Sequence, residues 1–118
     1  MMRATNAVAR RKANKKILKS ARGYFGSRHR SLRQAKQAEK RAEAQAFAGR
    51  KQKKRTMRSL WITRINIAAR ANGIAYSRLI AGLQAADIIL DRKQLSEMAI
   101  HEPAAFTAVC EQARNALG

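Results

Sequence analysis

Residues 60–77 read LWITRINIAARANGIAYS. Leu60, Trp61, Ile65, Ala68 and Ala69 recur at helical spacing, with Arg64 and Arg70 on other faces. Asn72-Gly73 then ends the helix, because glycine tolerates the left-handed backbone that commonly follows a last helical turn. At this stretch a highly charged chain acquires an apolar face. Upstream of it no such face exists, and downstream the pattern is repeated.

Downstream, Tyr76, Leu79, Ile80 and Leu83 give a second short apolar face. Ile88-Ile89-Leu90 is rich in β-branched residues but has no pairing partner elsewhere, so it is expected to be a buried connection. Asp91, with Gln94 three residues on, has the spacing of a capping box, and Leu95, Met98 and Ala99 form the inner face of the helix it starts. Glu102-Pro103 opens a last helix, with proline at its tolerated first position. Phe106, Val109, Cys110, Ala113 and Leu117 follow on one face. The expected class is all-α, with residues 59–118 forming a small helical bundle.

Upstream the chemistry reverses. Of 118 residues, 26 are Lys or Arg and 7 are Asp or Glu, a net charge of +19. Residues 1–58 hold 20 of the cations and only Glu39 and Glu43 as acids, a net of +18, whereas residues 59–118 carry +1. Large apolar residues number 10 in the first part and 20 in the second, so only the second can build a core. About 60 residues suffice for a small domain.

Residues 3–58 contain no proline and many strong helix formers. One helix is expected over Val8–Arg22, broken by Gly23-Tyr24-Phe25-Gly26. From Ser27 to Ala71 the only breaker is Gly49, so a long helix is expected there, with a kink allowed at Gly49. Between residues 27 and 56 the large apolar residues are Leu32 and Phe47, too few for a packing stripe. Two compatible readings of residues 1–58 stand: a basic tail disordered in isolation, and a helical extension that orders as phosphates neutralise it.

A charge this large implies a polyanionic partner. No apolar run is long enough to span a membrane. The basic character continues to Arg58, well past where a transit peptide would end. The single cysteine precludes an internal disulfide and fits a reducing compartment. On an apolar helix face Cys110 reads as a structural thiol. His29 and His101 are far apart and lack ligand-spaced partners, and the glycines form no phosphate-binding loop. His29 reads as a phosphate contact or a solvated residue, and His101 as a helix-flanking one. Glu39 and Glu43 read as charge balance along one helix. Neither an enzyme nor a metal or cofactor site is indicated.

The candidate nucleic-acid contacts form three clusters. They are Arg10, Arg11, Lys12, Lys15, Lys16, Lys19 and Arg22; then Arg28, Arg30 and Arg33; then Arg50, Lys51, Lys53, Lys54, Arg55 and Arg58. On a helix they point in all directions, which suits a segment surrounded by phosphates better than one lying in a single groove. Tyr24 and Phe25, at the glycine bend, either stack on an unpaired base or pack locally against adjoining helices. Charge alone does not choose RNA over DNA, and a nucleoid protein or RNA chaperone is the competing class.

Several runs resemble the bacterial large-subunit ribosomal protein L-twenty family. Residues 15–28, KKILKSARGYFGSR, are similar to its "KKxLKxAKGYYGxR" signature, and residues 50–55, RKQKKR, to its second basic block. Residues 60–77 match its "LWIxRINAAARxNGxxYS" run, residues 91–93 its "DRK" and residues 105–107 its "AFT". The resemblance is colinear over nearly the whole chain. It implies a cytoplasmic protein of the large ribosomal subunit that binds 23S ribosomal RNA early in assembly. It also implies repression of its own messenger RNA and contact with neighbouring proteins, notably the L-twenty-one family. Carried onto the matching positions, it makes Arg64, Asn66, Arg70, Asn72, Ser77, Arg92 and Lys93 RNA contacts, and Leu60, Trp61, Ile65 and Tyr76 core residues. The family often carries aromatics where this chain has Leu32, Lys36 and Gln45, and a small second residue where it has Met1-Met2.

Overall fold

A computed structural model describes residues 6–118. Met1-Met2 and the rest of residues 1–5 lie outside the described residues. Five α-helices and no strand occur among the described residues: α1 (Ala7–Ser20), α2 (Leu32–Ala71), α3 (Tyr76–Ala85), α4 (Arg92–His101) and α5 (Pro103–Asn115). The all-α expectation is met. Cα packing divides the chain into two units between Lys51 and Gln52.

In the first unit α1 ends at Ser20, two residues before the expected end. Ala21 to Gly23 turn instead, and Tyr24 N–H donates to the Ala21 carbonyl at 3.2 Å. Gly23 and Gly26 both have positive φ, +83° and +65°, so the bend sits where the glycine pair placed it. A short 3₁₀ turn, Gly26–His29, takes up residues expected to belong to the long helix. His29 Nδ1 closes it with a 2.8 Å hydrogen bond to the Tyr24 carbonyl, while the residue remains exposed. The expectation that residues 27–56 lack packing surface needs correction. Ala21 and Ala35 are fully buried, and Ser20 Oγ donates to Glu39 Oε1 at 2.5 Å. Alanine, which adds little to a large-apolar stripe, makes the apolar contact here. Glu39 serves that junction and forms no ion pair along its own helix among the described residues. Gly49 lies inside α2 as an ordinary helical residue with open space around it.

The second unit contains the end of α2 with α3, α4 and α5. Ile74 N–H donates to the Ala69 carbonyl and Gly73 N–H to that of Arg70, each at 3.0 Å, the bond pair of a Schellman cap with Gly73 at φ +72°. The same pattern ends α3: Ile88 N–H reaches the Leu83 carbonyl and Asp87 N–H that of Gln84. Here Asp87, not glycine, takes the left-handed position at φ +55°. The connection after it is not buried throughout. Ile88 and Leu90 are half-buried, whereas Ile89 is 93% exposed. A 3.2 Å bond from Leu90 N–H to the Ile88 carbonyl makes Ile89 the centre of a γ-turn, which throws its side chain outward. Asp91 and Gln94 form the reciprocal capping box expected of them, and Pro103 is at the first turn of α5.

The core gathers Ile65, Ala69, Leu79, Leu83, Leu95, Phe106, Cys110 and Ala113. Three core assignments change: Leu60 is exposed at 40%, and Trp61 and Tyr76 are half-buried. Trp61 and Tyr76 sit at the margin of the core, where large amphipathic rings are common. Burial raises the Cys110 thiol pKa, with Arg114 opposing the rise, so the thiol stays protonated and unreactive near neutral pH. Ser96 was not anticipated in the core; it is fully buried and its Oγ has no hydrogen-bond partner.

α3 packs on α5 through Gly82. A Cβ at that position would collide with the backbone carbonyl and Cβ of Ala113. The rigid neighbour cannot yield, so Gly82→Ala is expected to destabilise the fold by about 1–3 kcal/mol or more. Gly49→Ala, in open helical surroundings, is expected to gain about 0.5–1 kcal/mol. Thermal unfolding followed by circular dichroism measures both, and equal melting temperatures for the two variants would contradict the close-approach account.

Candidate nucleic-acid interface

Helical rotation fixes how the first unit presents charge. Arg10, Arg11 and Lys12 are successive residues, each turned about 100° from the last, so they cannot share a face. All three are exposed, as are Lys15, Lys16, Lys19 and Arg22. Arg28, Arg30, Arg33, Arg50 and Lys51 are exposed too. Lys53, Lys54, Arg55 and Arg58, which fall in the second unit, are likewise exposed. None of these cations lies within salt-bridge distance of a carboxylate among the described residues, where the single ion pair is His101–Glu97 at 3.3 Å. One is nevertheless engaged: Lys51 Nζ sits 4.3 Å from the centroid of the Phe47 ring, a cation–π contact. The remainder form a cationic surface with no internal counter-charge.

The aromatic pair at the bend divides. Tyr24 is half-buried, while Phe25 is 91% exposed. Local packing therefore accounts for Tyr24 and leaves Phe25 uncovered. Beside them lies an open recess of about 640 Å³. Its α2 wall carries Gln34, Gln37, Arg41 and Gln45, with Ala38 and Ala42 between them, and Arg28 joins from the 3₁₀ turn. Gln34, Gln37 and Arg41 were not among the residues singled out from sequence, and Gln45 was noted only as a departure from the family's aromatics. Their helical spacing was visible, but nothing local distinguished them from an ordinary solvated face.

The candidates in the second unit are more varied. Ser77, Arg70 and Lys93 are exposed, and Arg64 and Asn66 are half-buried. Arg70 Nε donates to Asn66 Oδ1 at 3.2 Å, which holds the pair together on one face of α2. Arg92 Nε donates to Tyr76 Oη at 3.0 Å, so α3 positions a guanidinium at the first turn of α4. A cation at a helix N-terminus opposes the macrodipole, and Arg92 and Lys93 both stand there. Helix stability therefore does not explain their placement. Asn72 is different. Its amide donates to the Ala68 carbonyl at 2.9 Å and accepts from Thr107 Oγ1 at 2.9 Å, while Arg114 Nη2 donates to its backbone carbonyl. The geometry thus gives Asn72 a clear internal role. Arg78 was missed by sequence reading; it is exposed next to Ser77 and lines a recess with Gly73 and Arg114.

Among the described residues no group of three or more His, Cys, Asp or Glu side chains is placed to hold a metal ion. No described helix is long and apolar enough to cross a membrane.

A family model described as ribosomal protein L20 matches residues 3–109. The chain belongs to the ribosomal protein L20 family. It is similar to the large ribosomal subunit protein bL20 of Methylobacterium sp. (strain 4-46), 55% identical over 117 residues, covering 99% of this chain and 94% of that one. It is also similar to the large ribosomal subunit protein bL20 of Xylella fastidiosa (strain M12), 50% identical over 117 residues, covering 99% and 98%. The L20 match takes in both units, the cationic clusters and the capped turn at Asn72-Gly73. Homology of this extent reaches the polar residues of the second unit as well as its core.

The bonds of Asn72 separate structural from binding roles. Asn72→Ala removes both side-chain bonds and leaves Thr107 Oγ1 without that partner, for an expected loss of about 1–3 kcal/mol of stability. Ser77→Ala, at an exposed position, is expected to stay within about 0.5 kcal/mol of the parent. Urea denaturation of the full chain reads the difference, and an Asn72→Ala midpoint equal to that of the parent would remove the structural role.

Proposed function

We propose that this chain is a structural protein of the bacterial large ribosomal subunit that binds 23S ribosomal RNA directly and promotes early subunit assembly. The observation that carries the reading is the uncompensated cationic surface of the basic clusters, in a chain of the L20 family. Family membership favours ribosomal RNA over the nucleoid or chaperone alternative. Both relatives are named as large-subunit proteins, which supports the same placement here, in the cytoplasm.

The mechanism is recognition and space-filling, without catalysis. Residues 59–118 act as a head that docks by shape and by a few positioned polar groups: Arg64, Asn66, Arg70, Ser77, Arg92 and Lys93. Residues 1–58 act as an arm that orders while its cations neutralise converging phosphates. Counterion release supplies much of the affinity, so binding depends steeply on salt. Ile67 and Ile100, exposed beside a shallow apolar groove of α2, α4 and α5, support a contact with a neighbouring protein. The L-twenty-one family is the neighbour proposed. Repression of the chain's own messenger RNA is proposed as a second use of the same RNA-binding head.

Two measurements test this reading. With about 6–10 phosphate contacts, affinity of the full chain for a 23S transcript is expected to fall roughly 10³–10⁵-fold between 50 and 200 mM salt. A flat salt dependence would refute the electrostatic arm. A fragment of residues 59–118 is expected to give a helical, cooperatively melting circular dichroism signal, and an unfolded fragment would refute the proposed division at residue 58.

A further inference from the structure

The recess beside Phe25 combines features that ordinary solvated helix surface does not need. Phe25 is 91% exposed at a bend whose two glycines and His29 bond hold the backbone locally. Exposing a whole phenyl ring forfeits the gain from burying it, about 1.5–3 kcal/mol. Facing the same recess, α2 presents Gln37 and Gln45, whose amides make no hydrogen bond among the described residues. Gln34 is held by a hydrogen bond from Ser27 Oγ. Between these amides lie Ala38 and Ala42, small enough to let a flat group approach the helix. Arg28 and Arg41 add positive charge, and no carboxylate lines the space.

Each feature matches one part of a nucleotide. A base has a π-face for an exposed aromatic ring. Its edge carries adjacent donors and acceptors, which a glutamine amide complements with its own donor and acceptor. Its phosphate takes the guanidinium groups. The volume of about 640 Å³ lies within the range of small-ligand sites, about 300–1,000 Å³. The cationic surface continues well beyond the recess, to Arg22 on one side and Arg33 on another, so the ligand is a base within a strand rather than a free nucleotide.

We infer that this recess is a capture site for one unpaired RNA base, stacked on Phe25 and read along its edge by Gln37 and Gln45, with Arg28 and Arg41 on the flanking phosphates. The inference rests on the ribosomal-RNA reading above and adds a base-specific contact to an arm otherwise bound by charge.

The test uses the full chain and a 23S transcript, with affinity measured by filter binding across a salt series and base accessibility by chemical probing. Phe25→Ala is expected to weaken binding about 5- to 150-fold at fixed salt, with the salt slope unchanged, since no charge is removed. Phe25→Tyr keeps the π-face and is expected to restore binding, whereas Phe25→Leu keeps apolar bulk without a π-face and is not. Gln37→Ala combined with Gln45→Ala is expected to restore chemical reactivity at the same base that Phe25→Ala releases. Arg28→Ala is expected to make the salt slope shallower by about 1. Phe25→Leu binding as tightly as the parent would overturn the stacking. An identical reactivity pattern with parent and variants, while all still bind, would overturn the site. Failure of the unaltered chain to bind the transcript would instead overturn the ribosomal reading, and this site's ligand with it.

Discussion

Uncompensated positive charge is the constraint on which the rest of this molecule depends. Eighteen net charges fall within residues 1–58, and the exposed basic clusters find no carboxylate partner among the described residues. Such a segment repels itself, and it has few large side chains to bury in return. Helix is the conformation that tolerates this best, because its backbone hydrogen bonds are local and its side chains radiate outward. The small apolar contact that exists there is made by Ala21 and Ala35, with the Ser20–Glu39 hydrogen bond beside it, and leaves the cations on the outside. Phosphate is the natural counter-charge, and the same property that prevents the segment from forming a core suits it to the polyanion-binding role proposed for it.

The second unit solves the opposite problem. From residue 59 onward the charge nearly cancels, at a net of +1, so its short helices are fixed by caps and by a small core. A Schellman cap at Gly73, a second at Asp87 and a capping box at Asp91 set three of its chain reversals. Around that frame a few long-range bonds do double duty. Tyr76 holds Arg92, and Asn72 ties the end of α2 to α5 through Thr107 and Arg114. A surface built this way presents its guanidinium groups in set positions, which suits the proposed recognition of a folded RNA by shape. Membership of the ribosomal protein L20 family then gives both units a common setting.

Most elements were legible in the sequence because their signals are local. The glycine pair at 23 and 26, Asn72-Gly73, Asp91 with Gln94, and Pro103 each act within a few residues, and each ended or started a helix as read. Errors arose where a side chain's fate depends on distant neighbours. Leu60 follows the apolar periodicity of α2 yet stays exposed, and Ile89 belongs to a β-branched run yet sits outside at a γ-turn. Ser96, polar by type, is buried. Burial is set by what packs opposite, and sequence periodicity names only the face, not its occupant.

The sequence by itself determined the helical class, the helix boundaries to within a few residues, and the division of charge into +18 over residues 1–58 and +1 over residues 59–118. Those follow from backbone preference, capping chemistry and composition, all of which are written in neighbouring residues. Tertiary structure alone decided that Gly82 must be glycine beneath Ala113, that Asn72 is spent on internal bonds, that Arg92 leans on Tyr76, and that Phe25 stands open beside a glutamine-lined recess. Apart from the Asn72–Ala68 bond within α2, the bonding pairs among these lie 16 to 42 residues apart, at distances along the chain where no local propensity acts and only the packed fold brings the groups together.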